Sequence, residues 1–559
     1  MKTRNRLGIV LGAAVMSSLL GLSGAALAQP SGGDQVVVGQ VQFVPNIHPL
    51  IQVNNTKRAV IGYTQRPISA YDYRGVLVCI MCETLPTLEN KLARMVGKGM
   101  QVTIKLKRGL AWGDGKPVTS RDIAFTWRMG IDPRIGFSNY NPWSRATQVD
   151  VVDQRTVVLH LPTAMPGFNA WDQVLPEHIE GPIFEKHRTV EDYLKQTTYN
   201  RAPTTPGIWN GPFIFTSYQP GTSIVMNQNP HWPAPKPGLA RVILTYRSNS
   251  AALLQNFLSG EIDALPVSPA GVSFSQMLDV RKRFPDRYTY HVRDGDNLER
   301  IALQLSNPIL ADIRVRKALM HSIDRKAITD SLFDGLQKPA NSLLPDTSPL
   351  YEKAVAQYSF DQARARTLLA EAGWKPGADG ICQNAKGERL SLEFITTAGN
   401  QTRQQITQVV QSQLKQVCVD IVARFVALNE FNSQMLRQRA FKGMIMGSID
   451  FPPSASPRIV LGSNMIPSTG NSYVGNNFSG FSNPKMDAAI DQAEQTLNET
   501  AVKAAWSTVQ KIAMDELPFL PLYFYARAYM TVKDLYDFEG ATSDPLSNWS
   551  ETWKRRPAR

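Results

Sequence analysis

The sequence predicts an α/β protein of two or three lobes, and three observations carry that expectation. The chain has 559 residues, beyond the size at which a single hydrophobic core usually serves. From about residue 299 onward its texture alternates between strand-like and helix-like runs, the mark of a mixed, partly parallel sheet. Its 43% hydrophobic and 19% charged content is that of an ordinary folded protein, and no internal repeat or low-complexity linker breaks it up.

Taken in order, the first residues read as an export signal. Lys2, Arg4 and Arg6 precede an apolar run over about 7–26, and Ala26-Leu27-Ala28 offers small residues for cleavage, so 1–28 is assigned as a signal peptide. The mature chain would begin at Gln29. No cysteine follows until Cys79, which gives no site for a lipid anchor there, and no later apolar stretch is long enough to cross a bilayer. The expected location is the periplasm. The formal charge of +13 loses three positive residues with the leader, leaving +10. Those charges are scattered except for the tail "KRRPAR" at 554–559, a pattern that suits solubility or acidic ligands and argues against nucleic acid.

Beyond the leader, "QVVVGQVQFV" is a strand and "NIHPLIQVNNTKRAVIGY" a loop entering a helix. "QVTIKLKRGLAW" alternates as a half-buried strand does. It runs into "GDGKPVTSRDIAFTW": Asp114-Gly115 makes a turn, Pro117 fixes its exit, and Thr119 with Asp122 has capping-box spacing ahead of a helix that puts Ile123 and Trp127 on one face. "RTVVLHL" (155–161) is a strand, residues 203–232 hold a hairpin split at "QPG", and "RVILTYR" is followed by a helix ending at Gly260. After residue 299, "RIALQLS", "LSLEFITTA" and "VDIVARFV" are strands set among helical stretches.

Four cysteines in an oxidising compartment suggest disulfides. Cys382 and Cys418 each precede a strand, with one helical stretch between, so a strand-helix-strand unit would bring them to the same end and bond them. Cys79 and Cys82 form a lone C-x-x-C in an apolar segment, read as buried small side chains or a local bridge. The inventory also argues against an enzyme. The seven histidines are dispersed, with no H-x-x-x-H pair, and there is no cysteine cluster, phosphate loop or G-x-S-x-G elbow. No cofactor and no metal are expected.

Seven blocks occur in a telling order: "KLKRGLAWGDGKPVTSRDIAFTW", "NGPFIFTSYQPGTSIVMNQNPHW", "LSGEID", "DIRVRKALMHSIDRKAI", "LLAEAGW", "FSNPKMDAAIDQAEQT" and "LPFLPLYFY". The series resembles the extracellular solute-binding proteins of family 5, the oligopeptide and dipeptide receptors of ATP-binding-cassette importers. What the resemblance implies is a periplasmic binding protein type II-like fold. Its ligand-gripping lobe I would take 29–72, 207–298 and 525–559, the inserted lobe II 73–206, and lobe III 299–524. It further implies a monomer that binds a peptide by hinge closure and hands it to an inner-membrane permease. The segment 73–100 departs from the family pattern and leaves other cargoes open: an opine, an oligosaccharide, a nickel complex or haem, with an exported hydrolase as the remaining alternative reading.

The resemblance also places the site. Asp450, in "GSIDFPPSASP", matches the aspartate that salt-bridges a ligand's α-ammonium, or simply caps a loop, with Phe451 beside it at a strand end giving way to that loop. Asn471, Tyr473 and Asn477 in the glycine-rich "GNSYVGNNFSGFSNP" are candidates to bond a ligand's backbone, or simply to hold turns. Trp209 is a candidate cleft wall or core residue, and Tyr71 lies near an expected hinge crossing.

Overall fold

The computed structural model describes residues 33–53, 55–72, 75–135, 137, 142–233, 235–267, 271–451, 456–471, 473–538 and 546–556. The leader assigned to 1–28 lies outside them. The architecture is α/β, built on one ten-stranded sheet. Its strands run in the order Asp420–Val426, Ser391–Thr397, Met444–Asp450, Tyr288–Leu303, Phe519–Val532, Ala264–Val267, Gln35–Gln40, Arg241–Tyr246, Ser223–Gln228, Phe213–Gln219.

Two of these strands set the plan. Tyr288–Leu303 has 16 residues and Phe519–Val532 has 14, against about 5–6 for a typical strand. They pair antiparallel along their whole length, and each serves both halves of the sheet. Alternation from residue 299 revealed only the second half of the first long strand; the polar run "VRDGDN" (292–297) hid its continuation from Tyr288. That run is where the register breaks. Asp294 faces Ala526, the next pair is Leu298 with Phe524, and Gly295, Asp296 and Asn297 stand against Tyr525 alone, a bulge that bends the sheet locally. A Cβ on Gly295 would lie 2.4 Å from the Tyr525 carbonyl oxygen, so only glycine lets the two backbones approach so closely.

Beyond the bulge, side chains of the first long strand alternate between two cores: Ile301 and Leu303 enter one, Leu298 and Ala302 the other. A third core gathers most of the apolar side chains from Val36 to Tyr246, with Trp553 near the C-terminus. The strand-helix-strand unit forms as expected, with Ser391–Thr397 parallel to Asp420–Val426 and helix Gln401–Lys415 between them. It carries a Cys382–Cys418 disulfide. Cys79 and Cys82 are also bonded, a local bridge. Among the described residues no helix is long and apolar enough to cross a membrane.

The "GDGKPVTSRDIAFTW" stretch joins a four-stranded antiparallel sheet to helix Ser120–Ile131. Gly115 takes φ +85° at the turn, and the Trp112 amide bonds the Lys116 carbonyl at 2.8 Å. Asp122 is the clamp. Its buried carboxylate accepts the amides of Thr119 (2.8 Å) and Glu177 (2.9 Å) and the Trp112 indole N–H (3.4 Å). A glutamate at that position would overreach these donors, which accounts for the aspartate. Asp122→Ala should therefore strand buried N–H groups and lower stability by about 1–3 kcal/mol, measured as a shift in urea midpoint. Asp122→Asn, which keeps an acceptor oxygen, should cost less.

Candidate functional site

Strands Ser391–Thr397 and Met444–Asp450 are parallel, so their C-terminal ends open on the same side, where α/β sheets place ligands. Met444–Asp450 is also antiparallel to the first long strand, which sets Asp450 opposite Asn297 in the bulge. Helix Gln401–Lys415 starts from the same end, its first turn capped by Asn400.

Three carboxylates stand at this floor, and their partners differ. Asp296, 8% exposed, pairs with Arg527 at 3.0 Å. Glu299, fully buried, pairs with Arg403 at 3.0 Å and also accepts the Tyr525 hydroxyl. Among the described residues Asp450 has no ion-pair partner; it accepts a single amide hydrogen bond, from Asn297 Nδ2 at 2.5 Å. Its carboxylate is exposed to solvent, yet its pKa is raised above the ordinary aspartate value. The chief cause is the surrounding protein mass, which disfavours the charge. Asp296 adds to the rise, and the Asn297 N–H, Arg527 and Arg58 pull the other way. Solvent access together with desolvation describes a carboxylate with protein close around it and water still in reach. Such a carboxylate is a ready acceptor for a cation.

The other sequence-derived candidates fare differently. Trp209 is fully buried; its indole N–H bonds the Pro203 carbonyl at 2.8 Å and its ring lies 4.6 Å from Phe215, so it is core and not cleft wall. Phe451, at 3% exposure, turns into the core behind the sheet. Asn477 is buried, with its amide spent on the carbonyls of Gly462 and Phe481 and on the Phe481 amide at 2.8–3.0 Å. Asn471 accepts the Ser468 amide (2.9 Å) and donates to the Ile466 carbonyl (2.9 Å), which holds a turn. Tyr473 is half-buried at φ +59° in the same loop. Tyr71, also half-buried, ends the short strand Ser69–Tyr71. The residues missed by sequence reading are Asn297, Asp296 and Arg527. The first two sit in "DGDN", where glycine between acids inside a long strand was the available signal. Among the described residues no group of three or more His, Cys, Asp and Glu side chains is placed to hold a metal.

Comparison with known proteins gives this geometry its setting. A putative ABC transporter peptide-binding protein of Brucella ovis is 26% identical over 98% of this chain and 95% of its own length. The fold is shared with the oligopeptide-binding protein from Thermus thermophilus complexed with a pentapeptide, with TM-score 0.72, 24% identity, and coverage of 93% and 96% of the two chains. It is shared too with NikZ from Campylobacter jejuni in complex with Ni(L-His), with TM-score 0.74, 20% identity, and coverage of 93% and 99%. The model of the bacterial extracellular solute-binding proteins, family 5, matches residues 93–464, and the chain belongs to that family.

Proposed function

We propose that this solute-binding protein works in the periplasm, after loss of its leader, as the receptor of an ATP-binding-cassette importer for short peptides. A peptide would be gripped between lobe I (29–72, 207–298 and 525–559) and lobe III (299–524), with 73–206 as an accessory lobe. The lobes close about the bulge in the two long strands, which adjoins those boundaries. Closure needs a ligand that binds the closed form better than the open one. The observation that carries the cargo is Asp450, partly desolvated, at a strand end, and without an ion-pair partner among the described residues. Its complement is an ammonium, as at a peptide's N-terminus. The Brucella ovis relative and the pentapeptide complex support the same cargo. The receptor would act as a monomer and catalyse nothing itself; ATP hydrolysis belongs to the importer.

Mass spectrometry of small molecules released on denaturing the purified protein tests this reading. Recovery of peptides with free N-termini is the expected result. Recovery of a single sugar, opine, haem or nickel chelate would replace the cargo while leaving the receptor role.

A further inference from the structure

Two ion pairs sit at the bulge. Lys338 Nζ lies 2.7 Å from Asp294 Oδ2, and Arg527 Nη2 lies 3.0 Å from Asp296 Oδ1. Backbone bonding fixes the side on which each partner stands. Asp294, opposite Ala526, precedes the break, and Leu298, opposite Phe524, follows it. The Lys338 carbonyl accepts the Phe524 amide, and the Ala340 amide bonds the Leu522 carbonyl, both at 3.0 Å. Residues 338–340 are therefore fastened on the side of the break that Asp294 does not occupy. The lysine side chain reaches over the bulge to meet it.

A second acid, Asp346, lies 3.8 Å from the same ammonium and is carried by the segment that carries Lys338. The two acids, with Phe524 and Tyr351, line a cavity of about 70 Å³. Asp346 would keep the ammonium paired when Asp294 moves away, so the exchange leaves no unpaired lysine.

We infer that Lys338 is an affinity-determining positioning residue: by binding Asp294 across the bulge it holds the halves of the sheet in the conformation that leaves Asp450 open to solvent. This rests on the hinge reading of the proposed function. Lys338 would thus tune ligand affinity through the open–closed balance without touching the ligand. Its side chain is 53% exposed and that of Asp294 31%, and exposed pairs of this kind shift an equilibrium by up to about fivefold. Salt should weaken the effect, since the screening length falls from about 10 Å at 0.1 M to about 3 Å at 1 M.

The test uses the full chain, without ligand, carrying spin labels at Gln219 and Val422, both exposed and on the opposite edge strands of the ten-stranded sheet. Electron–electron distance measurements should resolve two populations. Lys338→Glu should raise the closed fraction relative to the open one by up to about fivefold at low salt and by a smaller factor at 1 M salt. The exchanged pair, Asp294→Lys with Lys338→Glu, should return the ratio toward that of the parent. Two populations whose ratio Lys338→Glu leaves unchanged, or an exchanged pair that fails to restore it, overturn this inference alone. A single population in every ligand-free variant overturns this inference, and if that population also fails to shift when peptides released from the native protein are added back, the hinge reading falls with it.

Discussion

Asp450→Asn is expected to weaken binding of the peptide recovered from the native protein by about 30-fold to several thousand-fold, measured by calorimetry. Removing one partner of an enclosed charge pair costs roughly 2–5 kcal/mol. The shape of the side chain and its contact with Asn297 are kept, so the loss reports charge. Stability should move the other way. A carboxyl whose pKa is raised in the folded state favours the fold while protonated, and that contribution is lost as pH rises. At neutral pH the Asp450 charge thus opposes the empty fold, and Asp450→Asn should leave its Tm unchanged or higher. Loss of ligand with equal or greater Tm separates a binding residue from a structural one; a matching loss of both would sink the assignment.

The same raised pKa sets the pH dependence of binding. An ammonium needs the carboxylate, so affinity should fall as pH drops through the pKa of Asp450 in the empty receptor. That pKa stands above the ordinary aspartate value, so the fall should begin at a higher pH than for a fully hydrated aspartate. In Asp450→Asn this part of the profile should be flat.

What was legible in the sequence is what local pattern decides. The turn at 113–117, the Thr119–Asp122 cap and the helix stop at Gly260 depend on neighbours a few residues apart, and the strand-helix-strand unit that joins Cys382 to Cys418 depends on the period of each of its elements. Whether a polar or aromatic side chain turns inward to bond a nearby carbonyl or outward to a ligand was not legible. Trp209 and Asn477 look like binding residues because their types often are, but the Pro203, Gly462 and Phe481 carbonyls that bond them come close only in the folded chain. The bulge was hidden for a related reason. Strand alternation is a signal of half-buried surface, and the polar residues of a bulge interrupt it. Asp450 was found through the order of seven motifs and not through its own surroundings.

"LSGEID" and the basic tail acquire a joint explanation that neither offered alone. Asp263 ends that motif and is 2% exposed. Its carboxylate accepts the Val37 amide at 2.8 Å and Arg555 Nη2 at 2.8 Å, while Arg555 also bonds Asp534 and the Gln35 carbonyl. The backbone of Asp263 bonds Val37 and Val532. One buried ion pair thus pins Arg555 to three neighbouring strands of the sheet, and an arginine that reads as loose charge is part of the fold. Asp263→Ala leaves a buried guanidinium short of its carboxylate and an amide without its acceptor, so stability should fall by about 3–5 kcal/mol. Because desolvation offsets much of the attraction within such a pair, replacing both members by apolar side chains, Asp263→Leu with Arg555→Met, should cost less than Asp263→Ala alone. Urea unfolding followed by tryptophan fluorescence reads both, since Trp553 is buried two residues from Arg555. If the double variant were as unstable as the single one, packing and not the stranded charge would be what this corner of the fold requires.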